Sequence, residues 1–285
     1  MNSNELLTFI SAGQKVFYDL DIEGNLINED LSGLSFENCF FLVDFYGSDL
    51  TKTKFEHCNL KTCIFNYCLL EDAVFNSNSV EAADFKYTRF KNITFINNTS
   101  YGSQYTVELL EDLRYDSHPG FHITRVKAGW FEVVLADKAQ TIMVTASAYL
   151  GHDAPLELLV ALNDLCMPCP RDITAGQSKI KWLCWDDEPG AWLWKLERLN
   201  DLIKVAIYTA KKDSWEINRH DLEREAIYSK DFESEGDFFG FIKEIVKSYE
   251  IIGTLKNEQM NYENQWGSFP GSQWLKLKSC IRSHR

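Results

Sequence analysis

No run of eighteen apolar residues occurs in this chain, so nothing in it reads as a membrane-crossing helix. The opening stretch, MNSNELLTFISAGQKVFYDL, lacks a basic leader and a long apolar segment. No signal peptide is expected, and the reading is a cytoplasmic protein without a membrane partner. Base is scarce: 29 Lys and Arg stand against 42 Asp and Glu, for a net charge of −13. Phosphate binding needs a basic face, so no nucleic-acid ligand is expected, whereas a basic protein partner fits. No G-x-S-x-G, phosphate loop or dinucleotide fingerprint is present. No catalytic residue and no cofactor is therefore assigned.

The chain also lacks a metal-ligand pattern. Cys166-Met-Pro-Cys169 has CxxC spacing, but no second pair follows and Cys184 stands alone. Eight cysteines without an export signal read as reduced thiols. The histidines at 57, 118, 122, 152, 220 and 284 are scattered, and Pro119-Gly120 breaks any helix that would join His118 to His122.

What the chain does have is a period of five. Large apolar residues stand at Leu26, Leu31, Phe36 and Phe41, then at Phe45, Leu50, Phe55, Leu60, Phe65, Leu70, Phe75, Val80, Phe85, Phe90 and Phe95. Within that run only the step from Phe41 to Phe45 is four. A helix needs spacing near 3.6 and a strand needs 2, so neither explains the period. The residue two before each centre is usually small, as at Ser48, Thr53, Cys58, Cys63, Cys68, Ala73 and Ala83. The residue just before is often Asp or Asn, as in Asp44-Phe45, Asp49-Leu50, Asn59-Leu60 and Asp84-Phe85.

This pattern resembles the pentapeptide-repeat family. The match spans fifteen consecutive centres, with departures at Glu29, Leu34, Ile64, Leu69 and Val74. The resemblance implies a β-solenoid, a right-handed quadrilateral β-helix over residues 24–98 with four repeats per coil. Residues about twenty apart then stack into internal ladders. The expected ladder residues include Phe45, Phe65 and Phe85, then Phe55, Phe75 and Phe95, then Leu50 and Leu70. At a strand spacing of about 4.8 Å the rod is only roughly 19 Å long. In such coils Cys58, Cys63 and Cys68 lie on different walls, and Cys39 stacks with Cys58.

Residues 1–23 are expected to cap the first coil, with a short helix over 5–18. The polar stretch NNTSYG (97–102) ends the repeat. From 105 to 285 an α+β domain is expected, with an antiparallel sheet and at least two helices. Strands are read at 130–136, 141–149, 179–185, 191–198 and 202–209. A helix is read from an Asp153 cap through Leu165, and a late helix carries Phe238, Phe241, Ile242, Ile245, Val246 and Tyr249 on one face, with Gly253 as its stop. The stretch KWLCWDDEPGAWLWKLERLNDLIKVAIY resembles small uncharacterised bacterial α+β domains, a resemblance that carries no activity.

Asp186, Asp187 and Glu188 form the densest acidic cluster. As a hairpin turn they are ordinary. As a contact for a basic partner they gain from Trp185 and Trp192 nearby, since an outward Trp is a good interface anchor. The primary expectation is a non-catalytic, bacterial protein-binding protein, in its narrower form an immunity protein that neutralises a basic toxin domain. One alternative is a DNA-mimicking modulator of gyrase or topoisomerase, against which stand the short rod and the ten acidic and six basic residues of 24–98. The other is an enzyme that docks through its repeat, which raised carboxyl pKa values in a pocket would support. Phe65→Ala is expected to cost about 3–5 kcal/mol. A denaturant titration giving less than about 1 kcal/mol would place Phe65 outside an internal ladder.

Overall fold

The computed structural model describes residues 1–113, 116–167, 178–225, 229–254 and 256–283. The chain divides into two compact units, Met1–Asp116 and Ser117–Arg285.

The first unit opens with helix α1 (Ser3–Ser11), whose Asn2 cap and Glu5 exchange backbone bonds in a capping box. The helix buries Leu6 and stops at Ser11, not at 18. Beyond it Ala12-Gly13 turns the chain, with Gly13 at φ +94°. Short strands follow: β1 (Val16–Tyr18), β2 (Asp21–Asn25), β3 (Ser35–Glu37), β4 (Phe40–Asp44), β5 (Lys54–Glu56), β6 (Val74–Asn76) and β7 (Thr94–Ile96). Strands β1, β3, β5, β6 and β7 pair in parallel in that order and form one wall of the solenoid. The centres of this wall, Phe17, Phe36, Phe55, Phe75 and Phe95, stack with ring centroids 5.2, 5.5, 5.0 and 5.6 Å apart. The adjoining ladder sets Phe45 on Phe65 at 4.9 Å and Phe65 on Phe85 at 4.7 Å, with ring planes within 10°. Leu50 and Leu70 are wholly buried in a third ladder.

The first coil begins earlier than residue 24. Phe17 pairs with Phe36 and Ile22 with Phe41, so β1 and β2 are rungs of the solenoid and not only a cap. Each of these rungs precedes its partner by one coil. The step from Ile22 to Leu26 is again four, which hides this coil from a five-residue search. At the other end a hairpin of β8 (Asn98–Ser100) and β9 (Ser103–Tyr105) leads to helix α2 (Val107–Leu113), which buries Leu110 in the same core. The compact unit therefore runs past 105, to Asp116.

Two local rules build each coil. The residue two before a centre points inward, and at several rungs it donates to the carbonyl of a centre one coil earlier. Ser48 Oγ reaches Leu26 O at 2.5 Å, Thr53 Oγ1 reaches Leu31 O at 2.7 Å and Cys68 Sγ reaches Phe45 O at 3.0 Å. Asn78 and Asn98 donate through Nδ2 to Phe55 O and Phe75 O, both at 3.0 Å. At these rungs the inward side chain carries a donor that a carbonyl satisfies. Burial pushes the Cys63 thiol up to about 12, so it stays protonated and can donate, as it does to Phe41 O at 3.5 Å. The second rule concerns corners. The residue two after most centres is left-handed, with φ between 53° and 62° at Asn38, Lys52, His57, Thr62, Tyr67, Asp72, Ser77, Ala82, Tyr87, Asn92 and Asn97.

The second unit has two antiparallel sheets. One is three-stranded, β10 (Gly120–Lys127), β11 (Trp130–Ala136) and β12 (Thr141–Ser147). Helix α3 (Ala154–Cys166) follows, capped by Asp153 through Leu156 N at 3.1 Å. The other sheet is four-stranded: β13 (Lys179–Asp187), β14 (Gly190–Leu199), β15 (Leu202–Thr209) and, after the one-turn helix α4 (Leu222–Glu225), β16 (Lys230–Asp237). Helices α5 (Phe238–Thr254), α6 (Lys256–Gln265) and α7 (Gly271–Ser283) close the chain, and α5 runs through Gly253. The core joins Phe131, Trp185, Trp194, Leu162, Ile242 and Leu277.

A left-handed L-residue costs about 1–2 kcal/mol that glycine avoids, and glycine gives back part of this through the unfolded chain. Ala82→Gly should therefore raise the stability of the first unit by about 0.5 kcal/mol or more. A urea midpoint that falls instead would show that this corner carries no strain.

Candidate functional site

The acidic turn lies where β13 meets β14, and strand alternation divides its residues between two faces. Leu183 and Trp185 point into the main core, and Trp185 stacks on Trp194 at 4.5 Å with both rings wholly buried. Trp185 is therefore no surface anchor. Cys184 and Asp186 point to the other face, into a smaller apolar cluster with Leu193, Ile217 and Leu222. Asp186 is buried too, since an inward strand position overrides the polarity of its side chain. Asp187 accepts from Thr145 Oγ1, and through Oδ2 from Trp192 Nε1 at 2.9 Å, which leaves Trp192 half-buried. Glu188 accepts from Ser147 Oγ at 2.8 Å. The three carboxylates thus diverge: two bind β12 and one turns the opposite way. They do not form one acidic contact for a partner. Cys166 ends α3, while Cys169 lies outside the described residues.

A cleft of about 460 Å³ lies between α3, β13 and the loop before α4. His152, Leu156, Glu157, Val160 and Asp164 line one side, and Lys181, Trp182 and Arg219 the other. Basic and acidic side chains meet here in pairs. Lys181 Nζ lies 2.6 Å from Asp164 Oδ2, and His152 Nδ1 lies 3.6 Å from Glu157 Oε1. Arg219 donates to Asp186 Oδ1 at 2.5 Å and to Cys184 O at 3.0 Å. Asp186 Oδ2 has no hydrogen-bond partner among the described residues. Burial holds the carboxyls of Asp186 and Glu157 above the ordinary carboxylate range, against the pull of Arg219 and His152. The cleft thus offers Glu157, biased toward the protonated form, beside an apolar floor, and its Arg219 is bound to buried Asp186. Arg219 carried no signal in the sequence, because it sits in an irregular loop far along the chain from Asp186.

The outer walls of the solenoid pair their later charges between coils: Lys61 with Glu81 at 3.5 Å and Lys91 with Glu71 at 3.8 Å. Four apolar ladders, inward small donors and left-handed corners repeat from coil to coil. Residues 16–96 form a β-solenoid, built on pentapeptide repeats from Leu26 onward. The solved structures that resemble the chain include a pentapeptide repeat protein from the Arabidopsis thaliana thylakoid lumen, at 15% identity and TM-score 0.21 over 36% of this chain and 79% of that one. They also include pentapeptide repeat protein Rfr23 from the cyanobacterium Cyanothece 51142, at 14% and 0.16 over 34% and 99%. A third is QnrB1, a plasmid-mediated fluoroquinolone resistance protein, at 13% and 0.11 over 32% and 77%. No protein-family model and no curated protein matches the chain. The solenoid assignment rests on the chain's own repeat and geometry.

Removing one partner of a buried ion pair leaves the other charge uncompensated, at about 3–5 kcal/mol when both are buried. Arg219 is a quarter exposed, so Arg219→Ala should cost less, about 2–3 kcal/mol. Asp186 binds its proton at higher pH in the folded chain than in the unfolded one. Its contribution to stability therefore grows as pH falls through the raised value and is complete below the ordinary carboxylate range. Asp186→Asn should remove that slope. Urea midpoints at several pH values check both, and an unchanged slope would contradict the assignment to Asp186.

Proposed function

We propose that this chain is a non-catalytic protein-binding protein with a basic partner, and in the narrower form an immunity protein that neutralises a cognate toxin. One observation carries the reading. The solenoid interior is filled from rung to rung, so only its surface can act, and residues 1–50 place nine acidic side chains against one basic one. Residues 51–100 hold five acids and six bases, largely balanced. An unbalanced acidic end attracts and orients a basic protein. The same imbalance weighs against DNA mimicry, because the later coils lose the negative charge that a phosphate backbone keeps throughout.

The cleft beside Arg219 favours a second reading, an enzyme in the second unit, because the half-buried Glu157, with its raised pKa, is suited to proton transfer. The two readings part in one experiment. The purified full chain is titrated calorimetrically with the product of the adjacent gene, and toxicity of that product is scored with and without this chain. Stoichiometric, salt-weakened binding with loss of toxicity is expected. A clean failure to bind removes the toxin reading, and turnover of a small molecule blocked by Glu157→Gln would install the enzyme in its place.

A further inference from the structure

The acidic end of the solenoid carries a feature that its fold does not require. In the repeat, residues beside an inward centre face outward, and the solenoid tolerates any polar residue there. On β4 the two residues that flank buried Phe41 are Phe40 and Leu42, exposed by 44% and 55%. On β2 the two that flank buried Ile22 are Asp21 and Glu23, both exposed. The parallel register sets Asp21 beside Phe40 and Glu23 beside Leu42. Together with Met1 they line a shallow groove of about 430 Å³. Among the described residues, no side-chain cation pairs with Asp21 or Glu23. One coil further along the same wall the residues are Asn59 and Lys61, then Ser79 and Glu81, with Lys61 and Glu81 paired. The apolar and acidic character is therefore confined to the first two rungs.

The outer edge of this small sheet is already closed. Glu23 N donates to Met1 O at 3.1 Å, and Asn2 bridges to Glu23. A partner cannot add a strand there and must lie on the face. Two exposed apolar side chains with two unpaired carboxylates alongside suit apolar anchors flanked by positive charge. Like charge opposes a second copy of this chain, an anionic membrane and a nucleic acid.

We propose that the outward face of β2 and β4 is the docking surface for a basic segment of a partner protein, whose Lys or Arg side chains meet Asp21 and Glu23 while its apolar side chains cover Phe40 and Leu42. This rests on the protein-binding reading above and names the surface that serves it.

The test uses the full chain and a fluorescein-labelled peptide, KSLSKSLSKSLS, which in extended form puts lysine and leucine on one face. Fluorescence anisotropy at low salt should show saturable binding. Asp21→Asn/Glu23→Gln should weaken it about tenfold, as expected for two surface ion pairs. Phe40→Ser/Leu42→Ser should weaken it by at least about tenfold, as expected for two apolar anchors. Glu71→Gln/Asp72→Asn, which removes equal charge from another wall, should leave it unchanged. The peptide ESLSESLSESLS should not bind. Absence of saturable binding, equal binding by the acidic peptide, or wild-type affinity in both wall variants would each overturn the proposal. So would a dimer in sedimentation that Phe40→Ser/Leu42→Ser dissolves, since the face would then belong to a second copy. If Phe40→Ser/Leu42→Ser fails to fold, the isosteric acid variants still decide. A cognate basic protein that binds both wall variants as tightly as wild type overturns this surface and leaves the protein-binding reading intact.

Discussion

The first unit depends on one repeated contact: a side chain of a coil lying against its counterpart one coil below. Phe45, Phe65 and Phe85 show it most plainly, with nearly parallel rings less than 5 Å apart. Stacking alone would allow the coils to slide. The inward donors prevent this, because Ser48, Thr53 and Cys68 each tie a side chain to a carbonyl of the coil beneath. Apolar burial thus supplies most of the stabilisation, and the donors set the register. The corners oppose both, since most hold a residue in the left-handed region. The interior that results is full, and this decides where function can reside.

A filled interior leaves two kinds of place for activity in this chain, the outer walls and the second unit. The walls differ along the solenoid. Later coils pair their charges, as Lys61 does with Glu81. The early coils present exposed acids beside exposed Phe40 and Leu42. The second unit offers a cleft whose charges compensate one another around Arg219 and Asp186. Unpaired charge beside unpaired apolar surface favours a macromolecular partner at the first place. A half-buried carboxyl of raised pKa, Glu157, suits small-molecule chemistry better at the second.

The five-residue ladder was legible because the signal is local: every centre from Leu26 to Phe95 announces itself by spacing. The first coil was not, because the four-residue step after Ile22 breaks the period just where the β1 and β2 rungs begin. Strand β16, KDFESEGD, has too few apolar residues to stand out, and α6 is polar apart from Met260 and Tyr262, so both needed their neighbours to be placed. The acidic turn shows the limit for sites. Asp186, Asp187 and Glu188 are adjacent in sequence, yet alternation sends Asp186 inward to Arg219 and Asp187 the other way to β12, where Glu188, in the turn beyond the strand, also binds. Phe40 and Leu42 are outward because Phe41 is a centre, but their juxtaposition with Asp21 and Glu23 followed only from the register of β4 against β2.

The central claim is that stacked ladders and inter-coil bonds make the repeat a single rigid platform. Native-state amide hydrogen exchange over the interior coils tests it most directly. The amides of Phe45, Leu50, Phe65 and Leu70 each bond to a carbonyl in the next coil. They should exchange through one shared opening, with a common free energy that falls in step under mild denaturant. Amides that exchange independently, with little protection in the interior coils, would contradict the account.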